Sequence, residues 1–258
     1  MKTTQIFLLA AITLLMTTTQ VNAQQTGHQI MQKVYSIPSG EDTEGNLTMT
    51  LTNNRGEQRI RTLKQYIKDD GQTEKKIMFF TAPADVRNTA FMNWSYSDGR
   101  SDDQWIYLPA LKRTRRISSD GKNDSFMGSD FTYDDLGDRH PDQDSHQLLR
   151  EETIGERECF VIESTPKEED YIYSKTLTWV MKDNFIGLKR EFYDDRGKLL
   201  KVLHIKAFDK IDGFWTILET EMYNVQKEHR TNMKFTEVQK NKGISDNKFT
   251  ERSMTIGY

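Results

Sequence analysis

From Leu47 onward, apolar and polar residues alternate with a period of two. Leu47, Met49 and Leu51 interleave with Thr48, Thr50 and Thr52, the pattern of a strand with one face buried and one face wet. Turn signals follow at Asn54-Arg55-Gly56, Asp70-Gly71, Asp98-Gly99, Asp120-Gly121, Asp212-Gly213 and Lys242-Gly243. Their spacing is that of long strands joined by hairpins and leaves no room for helical crossovers. Strands are expected near 47–52, 58–67, 75–81, 89–96 and 103–108, and again at 146–154, 158–164, 175–182, 188–193, 199–208, 214–223 and 230–238. Ahead of them, residues 26–37 predict a helix. Thr26 and Gln29 have capping-box spacing, Ile30, Met31, Val34 and Ile37 form one stripe, and Pro38 ends it.

The hairpin at 89–108 breaks the alternation. Phe91 opposes Met92, Trp94 and Tyr96 in parity, and Trp105 and Tyr107 oppose Ile106 and Leu108. A strand apolar on both parities has two faces to hide. One can be the ordinary core; the other needs a helix, a partner or an apolar ligand. Residues 118–146 also depart from the pattern. They are loop-like and polar, with room for a helical turn or two, and loops this long inside a domain tend to be functional. The fold class expected is mainly β (α+β), a single curved antiparallel sheet of about eleven strands with helices covering its concave side, forming one domain over 24–258.

The first residues read as an export signal. Lys2 supplies the charge, residues 6–16 are apolar except for Thr13, and Val21-Asn22-Ala23 is a small-residue cleavage site. Eleven residues are too few to span a bilayer, which needs about 20. Cleavage after Ala23 would leave 235 of the 258 residues, with 35 basic against 39 acidic side chains. So even a balance argues against a nucleic-acid partner and against general attraction to anionic membranes. A soluble periplasmic protein, monomeric, is the expectation. No Cys follows the signal, which argues against a lipid anchor of its own. Cys159 is the one cysteine; it reads as a buried thiol, and no internal disulfide can form.

Two blocks carry a family resemblance. DQWIYLPALKRTRRI at 103–117 and SFMGSDFTYDDL at 125–136, with the weaker Phe249-Thr250, resemble the LolA-like outer-membrane lipoprotein-sorting family. The resemblance implies an open (half) β-barrel whose apolar cavity shelters acyl chains of a lipoprotein or an envelope lipid. It implies delivery toward the outer membrane, with a membrane lipid exporter or an outer-membrane acceptor as partner, and no cofactor. Cavity candidates are Met49, Leu51, Phe79, Phe91, Trp94, Trp105 and Tyr107, although strand parity alone does not say which face is concave. Arg113 and Arg115 are candidates for the cavity mouth or a partner contact. Phe126, Met127, Gly128, Ser129 and Asp130 are candidates for a lid.

Enzyme motifs are missing. There is no Gly-x-Ser-x-Gly, His-Glu-x-x-His, phosphate loop or Gly-x-Gly-x-x-Gly. The rival site is the acidic run with Asp138, His140, Asp142, Asp144 and His146, which could hold Ca²⁺ or Zn²⁺ in a metal-dependent hydrolase. It lacks the glycine and closing Glu of an EF-hand, and a solvated acidic loop explains it as well. A second rival is an envelope lipid sensor that uses the same barrel and signals through a partner.

Overall fold

The computed structural model describes residues 25–257; the export signal lies outside the described residues. Thirteen strands form one antiparallel sheet: β1 (Asp42–Thr52), β2 (Gln58–Asp69), β3 (Thr73–Ala82), β4 (Ala90–Tyr96), β5 (Asp103–Leu108), β6 (Arg113–Arg116), β7 (Asp144–Ile154), β8 (Arg157–Pro166), β9 (Lys175–Met181), β10 (Gly187–Tyr193), β11 (Leu199–Ile211), β12 (Phe214–Asn224) and β13 (His229–Lys240). Their order is β6-β5-β4-β3-β2-β1-β13-β12-β11-β10-β9-β8-β7. Every neighbour pair except β1–β13 is consecutive in sequence, so hairpins alone build two half-sheets. Pairing of β1 with β13, with Met49 opposite Met233 and Leu51 opposite Thr231, joins them. The count exceeds the expected eleven or so, and the strand outside the expected ranges is the short basic run at 113–116, which pairs with β5 as an edge strand.

The sheet edges, β6 and β7, are joined by residues 117–143, which pass across one face of the sheet in short 3₁₀ turns. That face is called inner below. Parity assigns Leu47, Met49, Leu51, Leu63, Met78, Phe80, Phe91, Ile106, Phe192, Met222 and Met233 to it, where with Phe126 and Phe131 of the crossing segment they form the largest core cluster. On β1 the opposite parity is threonine, as the alternation requires.

Helix α1 (Gly27–Tyr35) carries the expected capping box, the Thr26 side chain accepting from the Gln29 amide. Its Ile30 and Met31 pack on Ile162 and Val180, at the β7–β9 end of the inner face. Gly27 permits this approach, since a Cβ there would lie 2.8 Å from the backbone of His146 and Leu148. Helix α2 (Glu251–Ile256) lies on the other face. There Phe249 and Met254 cover Ile77, Phe79, Ala90 and Met92, with Tyr66, Trp94, Trp105 and Tyr107 packed around them. The approach to α2 is fixed by Asp42. Its buried carboxylate accepts from the amides of Lys242, Gly243 and Ile244 at 2.8, 2.8 and 3.0 Å, which together hold its acidity stronger than usual despite burial. The two-sided apolar pattern of 89–108 therefore has a structural cause: α2 outside, the crossing segment inside.

Phe249 is 1% exposed. Phe249→Ala should cost about 3–5 kcal/mol in urea unfolding, whereas Ile256→Ser, at 73% exposure, should stay within about 0.5 kcal/mol of wild type.

Candidate binding face and its crossing segment

A segment laid over a sheet without joining its ladder must find other partners for its backbone groups. The strands supply them through side chains at regular intervals. Carbonyls of Met127, Asp130, Tyr133 and Leu136 accept from Arg61 of β2, Lys201 of β11 at 3.1 Å, Gln104 of β5 at 2.8 Å and Lys76 of β3 at 3.3 Å. Each donor sits at the inward parity of its strand, beside Leu63, Leu203, Ile106 and Met78 respectively. Polar residues on an otherwise apolar parity were the sequence signal for this contact, and the period-two reading passed over them.

Two carboxylates pin the segment further. Asp130 accepts from Thr231 Oγ1 at 2.7 Å and contacts His229 Nδ1 at 2.7 Å, and its amide donates back to Thr231 at 3.0 Å. Asp135 pairs with Lys201, accepts from Tyr173 Oη at 2.8 Å and caps the Thr132 amide at 2.6 Å. Both members of the Lys201–Asp135 pair are almost wholly buried. Phe126 inserts between Phe80, Phe91 and Tyr133, with ring centroids 5.9, 5.3 and 5.6 Å away. The proposed lid residues Phe126–Asp130 thus lie against the inner face; Phe126 is fully buried and Met127 packs against the same cluster.

The seven cavity candidates do not come together. Met49, Leu51 and Phe91 lie on the inner face. Phe79, Trp94, Trp105 and Tyr107 have the opposite parity and pack with α2, so they belong to the outer cluster and not to the inner surface. The reason is local: Phe79 and Phe80 are consecutive, as are Trp105 and Ile106, and consecutive strand residues face opposite ways. Of the basic pair, Arg113 and Arg115 are exposed on edge strand β6 with the parity of Leu108 and Ile106. Arg116 turns the other way and pairs with Asp103.

Two of the hollows on the inner face have apolar walls. One, of about 340 Å³, opens between Leu47, Ile67, Met78, Leu218, Met233 and Phe235. The other, of about 240 Å³, lies between α1, the crossing segment and β8–β12, with Met31, Phe192, Leu203 and Met222 in its wall. Asp135 and Gly137 line both. The first is at the lower end of ligand-pocket volumes, so a long acyl chain would need part of the crossing segment's place as well.

Side chains of the acidic run have separate partners. Asp144 takes the Arg139 guanidinium at 2.7 Å, His146 lies 2.8 Å from both Ser164 Oγ and the Pro141 carbonyl, and His140 neighbours Asp142 at 3.7 Å. Among the described residues, no three His, Cys, Asp or Glu side chains converge as a metal site. Burial, followed by the nearby charge of Glu74, pushes the Asp138 carboxyl up to about 7. Burial also raises Asp134, although Tyr171 donates to it.

Residues 72–255 match a family model whose description reads uncharacterized protein. Among solved structures, an outer-membrane lipoprotein-sorting protein domain from Vibrio parahaemolyticus is 32% identical with a TM-score of 0.84, the match covering 89% of this chain and 98% of that one. A DUF1329 family protein from Desulfovibrio piger is 30% identical with a TM-score of 0.83, over 88% of this chain and 97% of that one. A LolA superfamily protein from Nitrosomonas europaea, 22% identical with a TM-score of 0.69 over 89% of this chain and 99% of that one, shares the fold. A comparison with curated proteins finds no match.

Lys201→Met should cost about 3–5 kcal/mol, because it strands a buried carboxylate. Adding Asp135→Asn, which keeps the contacts to Tyr173 and Thr132 without the charge, should recover at least half of that in urea titrations. For Asp138 the linkage runs toward acid. A carboxyl raised in the folded state contributes stability that is present below the unfolded value and lost as pH rises through about 7. Asp138→Asn should therefore stabilise the chain at pH 8, by on the order of a few kcal/mol, and change little near pH 4; thermal melts across that range check it.

Proposed function

The chain belongs to the LolA-like outer-membrane lipoprotein-sorting family, and from that premise we propose that it is an exported periplasmic carrier. It binds the acyl chains of a lipoprotein or envelope lipid and passes them toward the outer membrane. The observation that carries this reading is the inner face itself. Its apolar surface runs from β3 across β1 and β13 to β12, and part of it lines an open hollow instead of the chain's own core. Among the described residues, no helix is long and apolar enough to cross a membrane.

Loading works by exchange. The crossing segment occupies the inner face through side-chain bonds to its carbonyls, not through ladder pairing, so residues 126–130 can lift without unzipping a strand. An acyl chain then takes the place of Phe126 and Met127 against the same apolar wall, each buried methylene contributing about 0.8 kcal/mol. Release to an acceptor needs only a second site of higher affinity, with no covalent step. Arg113 and Arg115, exposed at the sheet edge where the segment departs, meet an acidic partner or a headgroup. Cleavage after Ala23 supplies the periplasmic address. Neither a sensing partner nor a metal-dependent hydrolysis has a specific observation in its favour.

Native mass spectrometry of the protein from its own envelope fraction should detect co-purifying lipid, and the uncharged probe N-phenyl-1-naphthylamine should brighten on binding. Leu218→Asp, which charges the open hollow at a half-buried position, should weaken the probe at least tenfold while leaving the melting temperature near wild type. A wild-type protein that carries no lipid and takes up no probe would overturn the carrier reading.

A further inference from the structure

The 240 Å³ hollow is charged as well as greasy. Asp134, Asp135, Asp138, Asp144, Arg139 and Arg190 all line it. Most of these charges are answered within the protein. Asp144 holds Arg139, which also stacks on Tyr171 at 3.7 Å. Asp135 holds Lys201. Asp134 accepts from Tyr171, and burial favours its neutral form. Asp138 is neutral below about pH 7. His146, also in the wall, is kept toward its neutral form by burial.

Arg190 is the exception. It stands on β10 at inward parity, opposite Thr178 of β9 and Leu203 of β11. Its Nε donates to Thr178 Oγ1 at 3.0 Å. Among the described residues no carboxylate lies within 4.0 Å of it, and its terminal nitrogens make no hydrogen bond to the protein. The side chain is half-buried, and desolvation pulls its guanidinium below the usual arginine range against the more distant Asp144, Asp135 and Asp138. A partly desolvated cation with no carboxylate in direct contact is costly to hold, and the free end of a guanidinium is a two-pronged donor shaped for a carboxylate or a phosphate. Beside it, Phe192, Leu203 and Met222 continue the apolar wall toward Met31.

We propose that Arg190 is a headgroup anchor: it binds the carboxylate or phosphate of an anionic amphiphile whose hydrocarbon tail lies against Phe192, Leu203 and Met222. This rests on the carrier reading and narrows its cargo to lipids with an accessible negative charge. The polar hollow seats the head, and the shared wall at Asp135 and Gly137 leads the tail toward the larger apolar hollow.

Calorimetric titration at pH 6, below the value to which Asp138 is raised, tests this with four probes: decanoate, decyl phosphate, 1-decanol and inorganic phosphate. At least one of the two anionic amphiphiles should bind tenfold or more tighter than 1-decanol, and the better of the two names the headgroup. Arg190→Gln should abolish that preference by weakening the anionic probes, and Arg190→Lys should retain part of it. Equal binding of all three tailed probes by the wild type, or an undiminished preference in Arg190→Gln, would overturn the anchor while leaving the carrier reading intact. Inorganic phosphate bound as tightly as decyl phosphate would overturn the amphiphile assignment. Binding of none of the tailed probes would overturn both readings.

Discussion

Both edges of the sheet are consecutive in sequence, and that constraint shapes the rest of the molecule. Because β1 and β13 pair in the middle, the chain leaves the sheet at β6 and must re-enter at β7, at the opposite end of the thirteen-stranded sheet. Between its ends, where the Ile117 amide donates to the Gln104 carbonyl and Gln143 accepts from Lys167, the connecting segment stays out of the ladder, yet it runs over an apolar surface where unpaired backbone groups are costly. Long side chains from the strands resolve the conflict. Arg61, Lys76, Gln104 and Lys201 reach the segment's carbonyls at Met127, Leu136, Tyr133 and Asp130. The interior therefore carries polar side chains where the segment's carbonyls meet it, set among the apolar residues that pack on Phe126 and Phe131.

This arrangement separates the stability of the sheet from the occupancy of its inner face. Ladder hydrogen bonds and α2 hold β2–β5 whether or not the crossing segment is seated, since Phe249 and Met254 cover the outer parity. Together the ladder and the outer cluster make a frame for the inner face. The aromatic hairpin belongs to the frame: Trp94 and Trp105 stack edge-to-face at 5.5 Å beneath α2, away from the inner face. Its abundance of rings reflects two coverings by the same chain and is not itself a measure of ligand-binding surface.

Electrostatics divides the inner face in the same way. Near β3–β5, Asn93, Ser95 and Asp102 form a closed network: Asn93 and Ser95 donate to Asp102 at 3.1 and 2.8 Å, and the Asp138 amide donates at 3.0 Å. Burial, helped by Glu74 and Asp102 and only partly offset by Lys76, is why the Asp138 carboxyl holds its proton so far above the usual carboxylate range. Toward β10 the Arg190 guanidinium lines the hollow with no carboxylate among the described residues within 4.0 Å of it. One hollow thus has an end that resists negative charge and an end that invites it.

Periodicity by itself determined the antiparallel strands, the helix behind Thr26 and the interruption at 118–146, because hydrogen-bonded hairpins and capping boxes are local and write their spacing into neighbouring residues. It also showed that 89–108 had two faces to hide. Only the tertiary structure decided which covering each face received, since Phe249 and Phe126 lie far from the hairpin in sequence. The same holds for the split of the cavity candidates, with Met49, Leu51 and Phe91 inside and Phe79, Trp94, Trp105 and Tyr107 outside. Alternation distinguishes two parities but carries no label for the side toward which a sheet curls. That choice, and the meeting of Lys201 with Asp135 and the isolation of Arg190, depends on the β1–β13 pairing that brings the two half-sheets around a common interior.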